Sequence, residues 1–173
     1  MRAEDFDFLA TMLRQRSGLD LSQDKVYLLE SRLTPVARKR GLESLEALVQ
    51  RLRMSRDEAL SSEVTEAMTT NESFFFRDTT PFDLFRDKVL PVLRQSRGTA
   101  KRLRIWCAAA STGQEPYSLA IILKEQWHQW RDWNIEIIGT DLSEQVLDKA
   151  RNGHYSQFEV QRGLPTVLLM RYF

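Results

Sequence analysis

Residues 103–117 read LRIWCAAASTGQEPY, and this stretch decides the fold. Its first part, Leu103 to Cys107, is a short apolar run typical of a buried β-strand. Small residues then run from Ala108 to Gly113, and Pro116 predicts the first position of a helix, because its fixed φ suits that position and its missing N–H would have no partner there. The stretch therefore predicts a strand, a tight turn of small residues and a helix.

A second strand candidate, Ile135 to Thr140, is followed directly by Asp141. In doubly wound α/β folds ligands bind at the carboxyl ends of parallel strands, and an acid in this position holds ribose hydroxyls. The glycines that let a backbone touch a pyrophosphate are missing from the turn. The pattern favours a ligand that has a ribose but no phosphate, such as S-adenosylmethionine. The alternative is an ordinary α/β turn that binds nothing.

Upstream of this unit, residues 1–68 predict a small helical domain. Apolar residues recur there at helical spacing, and no strand pattern is present. Ser44 predicts the start of a third helix, and Ser55 with Glu58 predicts a capping box at the start of a fourth. Pro35 predicts a kink or break in the second helix, because a proline removes one helical hydrogen bond.

Lys25, Arg32 and Lys39 are spaced seven residues apart on the second predicted helix and would share one stripe of its surface. This stripe could bind an anionic partner such as a glutamate-rich protein surface. The alternative is a solvated polar face with no partner.

Between the two predicted domains, residues 69–80 form a linker whose sequence, TTNESFFFRD over residues 69–78, matches neither helix nor strand period. Three consecutive phenylalanines do not all fit one side of a core, so we expect some of them to cover a pocket or a domain seam. Arg77 beside them would then be partly buried and would meet a carboxylate. The alternative is a connector with Arg77 exposed.

Residues 81–173 predict the first part of an α/β domain. Beyond the two strands, four helices are expected. They open at Thr80 and Pro81, run from Tyr117 to about Trp130, follow the cap Ser143 as far as Gly153, and begin at Pro165. A basic loop is expected from Arg94 to Arg104 and an irregular stretch from Tyr155 to Gly163. The predicted fold class is a small all-α N-terminal domain followed by the first part of a Rossmann-like α/β domain.

Composition narrows the function classes. The chain has 173 residues and a formal net charge of +1, so global charge points to no nucleic acid or membrane partner. A single cysteine excludes an intrachain disulfide, and two distant histidines suggest no metal site. No apolar run approaches the ~18 residues that span a bilayer. The N-terminus is acidic, which is atypical of a signal peptide, and we expect a cytoplasmic protein.

Three segments together resemble one family in order and spacing. NESFFFRD (residues 71–78), WCAAASTGQEPYSLA (106–120) and GTDLSEQVLDKARNGHY (139–155) are similar to the chemotaxis receptor methyltransferases, the CheR-type enzymes. The final LLMRYF resembles the segment that follows them, and the helical region is similar to the family's leading domain. The resemblance covers the whole chain and implies a class I methyltransferase fold.

The resemblance also implies a reaction. S-adenosylmethionine would donate a methyl group to glutamate side chains on the cytoplasmic helices of chemoreceptors, giving glutamyl methyl esters and S-adenosylhomocysteine. Arg77 is the residue expected nearest the chemistry, and the stripe formed by Lys25, Arg32 and Lys39 resembles the receptor-facing surface. The residues expected at the cofactor, counting the small-residue turn, are Asn71, Ser73, Arg77, Ala108, Gly113, Glu115 and Asp141.

In one respect the chain departs from this family. Family members are longer, and a sheet of two parallel strands does not make a viable core because both faces of a parallel sheet must be covered. We therefore expect a truncated or partial chain. A non-catalytic receptor-binding module is the alternative function. A nicotinamide-dependent dehydrogenase is disfavoured by the missing phosphate-binding glycines and by the lack of a clear proton donor.

Overall fold

A computed structural model describes residues 1–173. The chain divides into two compact units, Met1–Thr70 and Asn71–Phe173. None of the helices combines the length and the apolar character needed to cross a membrane.

The first unit is entirely helical. Its four α-helices are α1 Ala3–Ser17, α2 Val26–Lys39, α3 Leu45–Met54 and α4 Glu58–Met68. One side of each helix faces a common core, and the fully buried positions repeat at helical spacing, as in the pair Leu29 and Leu33 on α2. The predicted helical domain and its apolar faces are confirmed.

Helix starts in this unit follow the polar residues that precede them. The Ser44 hydroxyl accepts a hydrogen bond from the Ala47 N–H at 3.1 Å, so the predicted cap of α3 is confirmed. The capping box predicted at Ser55 is wrong, because Asp57 caps α4 by accepting from the Leu60 N–H at 2.9 Å. Ser55 belongs to the end of α3, where its hydroxyl donates to the Arg51 carbonyl at 2.8 Å.

Pro35 does not break α2, which is continuous from Val26 to Lys39. A proline removes the hydrogen bond to the carbonyl four residues earlier, which belongs to Ser31. Both residues are exposed, so the freed carbonyl is open to solvent; the predicted break is wrong, and the alternative of a kink stays a prediction.

The second unit contains two parallel strands, β1 Arg102–Ala108 and β2 Asn134–Thr140, paired from Arg102 with Asn134 to Ala108 with Thr140. Its helices are α5 Thr80–Leu84, α6 Leu90–Ser96, α7 Gln114–Glu125, α8 Trp127–Trp130, α9 Glu144–Asn152, α10 Gln157–Gln161 and α11 Thr166–Tyr172, with a π-helical stretch at Phe85–Val89 between α5 and α6. The predicted strand–turn–helix unit and the second strand are confirmed.

The two faces of this sheet differ. Leu103 and Cys107 point into a core that they share with Ile122 on α7 and with Trp130. On the opposite face Trp106 is 69% exposed, and its indole N–H donates to the Thr140 hydroxyl at 3.0 Å. One side of β1 and β2 is therefore packed and the other open.

Other boundaries differ locally from the expectation. The helix expected from Tyr117 to Trp130 begins earlier, at Gln114, and stops at Glu125 before the separate turn α8. Pro116 is therefore the third residue of α7 and not, as predicted, its first. The expected basic loop is shorter, because α6 continues to Ser96 and β1 begins at Arg102. These boundaries leave only a short connection between α6 and β1.

The stretch expected to be irregular contains α10. Its first turn carries a capping box, in which the Ser156 hydroxyl accepts from the Glu159 N–H while the Glu159 carboxylate accepts from the Ser156 N–H. Glycine and aromatic residues around this turn concealed the capping signal. The helix after Ser143 and its closure at Gly153 are confirmed.

Candidate cofactor site

The turn that joins β1 to α7 is conformationally unusual. Ala109 and Ser111 have positive φ angles of 61° and 50°, and Gly113 follows at 96°. The left-handed region costs an L-residue on the order of 1–2 kcal/mol, and only glycine adopts it freely. A turn with two such residues persists because its surroundings hold it, a condition that is common at binding sites.

Asp141 is one of the groups that hold the turn. Its Oδ2 accepts a hydrogen bond from the Ser111 N–H at 2.8 Å, and its Oδ1 accepts from the Ser143 N–H at 3.0 Å. The Ala110 N–H also donates to the Thr140 carbonyl at 2.9 Å. The ends of both strands therefore meet at one carboxylate.

The segment that begins at Asn71 is tied to the same unit at two points. The Ser111 hydroxyl donates to the Asn71 carbonyl at 2.8 Å. The Ser118 hydroxyl, on the second turn of α7, accepts from the Phe76 N–H at 3.0 Å and donates to the Gln114 carbonyl at 2.7 Å. The three motif segments found in the sequence are thus in direct contact.

Tyr155 and Gly113 close the turn from the side of α9. The Tyr155 hydroxyl donates to the Thr112 carbonyl at 2.7 Å, and burial raises the pKa of this phenol well above its ordinary value. A Cβ on Gly113 would lie 2.9 Å from the Ala150 Cβ and 2.8 Å from the Tyr155 hydroxyl. A glycine is therefore required here both by the φ angle and by the close packing.

Two of the three phenylalanines pack into apolar clusters of the second unit, whereas Phe74 lies beside the guanidinium groups of Arg77 and Arg162. Phe75 is fully buried and makes an edge contact with the Tyr155 ring at 5.0 Å between centroids. Phe76 makes a similar contact with Phe82 at 5.3 Å. The segment is consequently packed into the second unit.

Arg77 is exposed, so the expected partial burial is wrong. Its guanidinium donates to the Glu72 backbone carbonyl at 2.8 Å and lies 5.7 Å from the centre of the Phe74 ring. The Glu72 carboxylate bonds instead to Arg162, which with a smaller contribution from Arg77 lowers the pKa of that carboxyl. Arg77 therefore retains donors that face solvent, at the edge of the motif segment.

Glu115 lies in the first turn of α7, where the helix dipole favours a carboxylate. Its side chain is exposed, and the thiol of Cys107 lies beneath the turn. Burial, and second the charge of Glu115, raise the pKa of the Cys107 thiol to about 12. Cys107 is consequently a neutral core side chain.

The remaining predicted residues fall in the same region. Asn71 and Ser73 are half-buried, Ala108 is exposed at the end of β1, and Gly113 is buried at the start of α7. Asp141 and the small residues of the turn therefore lie together at the carboxyl ends of both strands, and Asn71 is joined to them through the Ser111 hydroxyl. This arrangement suits a ligand with hydroxyl and amino groups, and it offers no glycine-rich cradle for a phosphate.

Of the predicted basic stripe, Arg32 and Lys39 lie on α2, whereas Lys25 lies in the 3-10 turn Gln23–Lys25 that precedes it. Each of the three has an intramolecular partner. Lys25 pairs with Asp24 at 3.0 Å and Lys39 pairs with Glu63 at 2.6 Å. Arg32 donates to the carbonyls of Met68 and Thr69, at 2.8 and 3.0 Å, at the end of α4.

Sequence reasoning did not single out Ser111, Ser118 or Tyr155. The hydroxyls of these residues act on backbone groups that are distant in sequence, so no local pattern reveals them. A partial signal exists for Ser111, because a serine in a turn of small residues readily bonds to backbone groups.

Two family models match the two units of the chain. Residues 4–69 match a family model described as CheR methyltransferase, all-alpha domain, and residues 71–173 match one described as CheR methyltransferase, SAM binding domain. In the second description SAM denotes S-adenosylmethionine.

Curated relatives carry a consistent description. The chain is 41% identical to chemotaxis protein methyltransferase 1 of Pseudomonas aeruginosa and 38% identical to chemotaxis protein methyltransferase Cher2 of Pseudomonas putida, in each case over 98% of this chain and 62% of the relative. It is 31% identical to a chemotaxis protein methyltransferase of Borreliella burgdorferi, over 98% of this chain and 60% of the relative. The chain thus spans about three fifths of the length of these relatives.

Proposed function

Because this chain belongs to the CheR methyltransferase family, we propose that it acts in the transfer of a methyl group from S-adenosylmethionine to glutamate side chains of chemoreceptors. The products are glutamyl methyl esters and S-adenosylhomocysteine. The observation that supports this most is the 2.8 Å hydrogen bond from the Ser111 N–H to Asp141, because it brings the turn after β1 and the end of β2 to one point.

The residues at this point fit an adenosyl cofactor. Each Asp141 oxygen accepts one backbone N–H, and a carboxylate has about four lone-pair positions, so two remain for the hydroxyls of a ribose. Glu115 is exposed in the first turn of α7 and would bind near the methionine end. Ala108 and Gly113 bound a turn without bulky side chains, the Asn71 carbonyl bonds to that turn, and Ser73 is proposed to contact the cofactor from the same segment.

S-adenosylmethionine supplies a methyl group on a positively charged sulfur, which is already an activated leaving group. A receptor glutamate with a pKa near ~4.3 is ionised at neutral pH, so the protein has no proton to remove from it. The work left to the residues is to hold the carboxylate in line with the methyl group and to exclude water.

Arg77 is suited to that work. Its guanidinium is exposed at the edge of the motif segment and is held by a single hydrogen bond to the Glu72 carbonyl. A planar guanidinium binds a carboxylate through two parallel hydrogen bonds, which orients the acid as well as attracting it. In this proposal Arg77 orients either the target glutamate or the carboxylate of the cofactor.

The stripe formed by Lys25, Arg32 and Lys39 is proposed to face the cytoplasmic helices of the receptor. Lys39 has a side chain that is 75% exposed and Lys25 one that is 43% exposed, so both ammonium groups are accessible to a glutamate-rich surface. Arg32 would contribute through its charge, since its guanidinium already bonds to the end of α4.

Calorimetric titration with S-adenosylhomocysteine tests the cofactor site, and transfer of a labelled methyl group to a receptor fragment tests the reaction. We expect binding and transfer. Receptor binding without affinity for S-adenosylhomocysteine would instead identify a non-catalytic docking module.

Replacement of Arg77 by alanine separates orientation from folding. We expect Arg77→Ala to lose most methyl transfer and to keep its stability within about 0.5 kcal/mol, because the side chain is exposed. Arg131→Ala is the matched control, since Arg131 is also exposed and pairs only with the neighbouring Asp132. Near-normal transfer by Arg77→Ala would refute the assignment.

A further inference from the structure

Two buried serine hydroxyls hold the first motif segment against the turn and α7. Ser111 is 7% exposed and Ser118 is fully buried. The first bonds to the carbonyl of Asn71, and the second to the N–H of Phe76. The two attachment points lie five residues apart and bracket Ser73.

The attachment at Ser111 is coupled to the conformation of the turn. This residue has a φ of 50°, and its N–H is held by Asp141 at 2.8 Å while its hydroxyl donates to Asn71 at 2.8 Å. A single residue therefore connects the turn after β1, the end of β2 and the first motif segment. A change in any of these three parts alters the environment of the other two.

The attachment at Ser118 fixes the other end of the bracket. Its hydroxyl donates to the Gln114 carbonyl within α7 and is thereby oriented to accept the Phe76 N–H at 3.0 Å. Phe76 immediately precedes Arg77, so the position of the arginine along α7 follows from this bond. Removal of the hydroxyl would leave the Phe76 N–H without its partner.

From these contacts we infer that Ser111 and Ser118 are positioning residues, which we call the serine clamp, and that affinity for the adenosyl cofactor depends on them. They act through the segment that carries Asn71, Ser73 and Arg77. The dependence of cofactor affinity on the clamp rests on the proposed function, whereas the attachment of residues 71–78 by the two serines does not.

Two measurements on the full chain test the clamp. Hydrogen–deuterium exchange over residues 71–78 reports on the segment, and calorimetry with S-adenosylhomocysteine reports on the site. We expect Ser111→Ala and Ser118→Ala each to speed exchange in this segment and to weaken binding by roughly tenfold, the effect of one lost buried hydrogen bond. Exchange in the paired interior of β1 and β2 should stay unchanged, because neither hydroxyl bonds to a strand residue.

The matched control is Thr65→Val in α4. Thr65 is also 7% exposed, and its hydroxyl donates to a backbone carbonyl, that of Ser61, at 2.8 Å. The Thr65→Val variant therefore loses a buried hydroxyl of the same kind at a place remote from the motifs in sequence. It should change neither the exchange of residues 71–78 nor the affinity for S-adenosylhomocysteine. Ser118→Thr is the rescue variant, because a threonine in a helix keeps a hydroxyl that bonds to the preceding turn.

The outcomes separate the clamp from the proposed function. Faster exchange with weaker binding in both alanine variants, and recovery in Ser118→Thr, supports the inference. Unchanged exchange in residues 71–78 overturns it, as does unchanged affinity in variants whose exchange has increased. If the unaltered chain binds no S-adenosylhomocysteine, the proposed function fails, and the exchange data alone decide whether the serines hold the segment.

Discussion

At the scale of single residues, Asp141 carries two tasks at once. Its carboxylate accepts the N–H groups of Ser111 and Ser143, and in the proposed function it also binds ribose hydroxyls. The sequence pattern predicts only the second task. The first depends in part on the bond from Ser111, 30 positions away in sequence, which no local pattern contains.

Replacement of Asp141 should therefore affect both stability and binding. We expect Asp141→Ala to weaken the binding of S-adenosylhomocysteine by on the order of 1–3 kcal/mol and to lower the melting temperature, because two backbone donors lose a charged acceptor. Asp141→Asn keeps one acceptor oxygen, so its affinity and its melting temperature should lie between those of the unaltered protein and those of Asp141→Ala. Calorimetry and thermal unfolding measure these effects.

Asp132→Ala is the control for this comparison. Asp132 is exposed, with a side chain 62% accessible, and its ion pair with Lys101 is long at 3.6 Å. An Asp141→Ala protein with the affinity of this control would exclude Asp141 from the cofactor site.

Cys107 should be inert in the folded protein. Burial and the charge of Glu115 raise the pKa of its thiol to about 12, so the reactive thiolate is scarce at any pH below this value. We expect slow reaction with a thiol reagent between pH 7 and 9 in the native state and rapid reaction after unfolding. Fast native labelling at pH 7 would contradict the burial of this side chain.

At the scale of elements, the turn between β1 and α7 shows which features a sequence pattern predicts and which it does not. The apolar run, the small residues and Pro116 predict the strand, the turn and the helix correctly. The positive φ angles of Ala109 and Ser111 are not predicted, because neither residue type prefers this conformation. The surrounding hydrogen bonds impose them.

Gly113 offers a test of how tightly this turn is packed. We expect Gly113→Ala to destabilise the second unit by about 1–3 kcal/mol more than Gly41→Ala destabilises the first. Both glycines have positive φ, but a Cβ at position 41 meets nothing within 4 Å, whereas one at position 113 lies 2.9 Å from the Ala150 Cβ. Chemical denaturation of the two variants gives the comparison.

Equal losses of stability in the two variants would show that conformational strain alone limits position 113. In that case the contact with α9 would be relaxed enough to accept a methyl group. The larger loss that we expect would instead place Tyr155 and Ala150 among the residues that shape the turn.

The helical elements follow their sequence patterns more closely than the irregular ones. Apolar spacing and single caps such as Ser44 predict α1 to α4, because each signal lies within a few residues of its effect. The true cap of α4, Asp57, lies two positions from the predicted one, since two competing polar residues occur in the same short stretch. The break predicted at Pro35 is wrong, since α2 is continuous and Ser31, whose carbonyl loses its helical partner, is exposed.

At the scale of the whole molecule, the chain consists of two units with separate cores. The core of the first unit is formed only by residues between Phe6 and Met68, together with partly buried neighbours from the same unit. Helical domains of this length can fold alone, although their margin of stability is small. The sequence predicted this division from the loss of helical periodicity after residue 68.

A fragment of residues 1–70 should therefore fold by itself. We expect a helical circular dichroism spectrum and a cooperative thermal transition. Leu33→Ala, at a fully buried position, should lower the stability of the fragment by about 2–5 kcal/mol, whereas Arg14→Ala on its exposed surface should have little effect. A fragment with no cooperative transition would show that this core depends on the rest of the chain.

The indole of Trp106 has a practical consequence. The other three tryptophans lie at positions 127, 130 and 133, near the end of α7, whereas Trp106 lies on the open face of β1 with its N–H on Thr140, the residue next to Asp141. Its fluorescence therefore supplies a label-free optical reporter at the carboxyl end of the strands. A Trp106→Phe protein provides the blank against which its emission can be isolated.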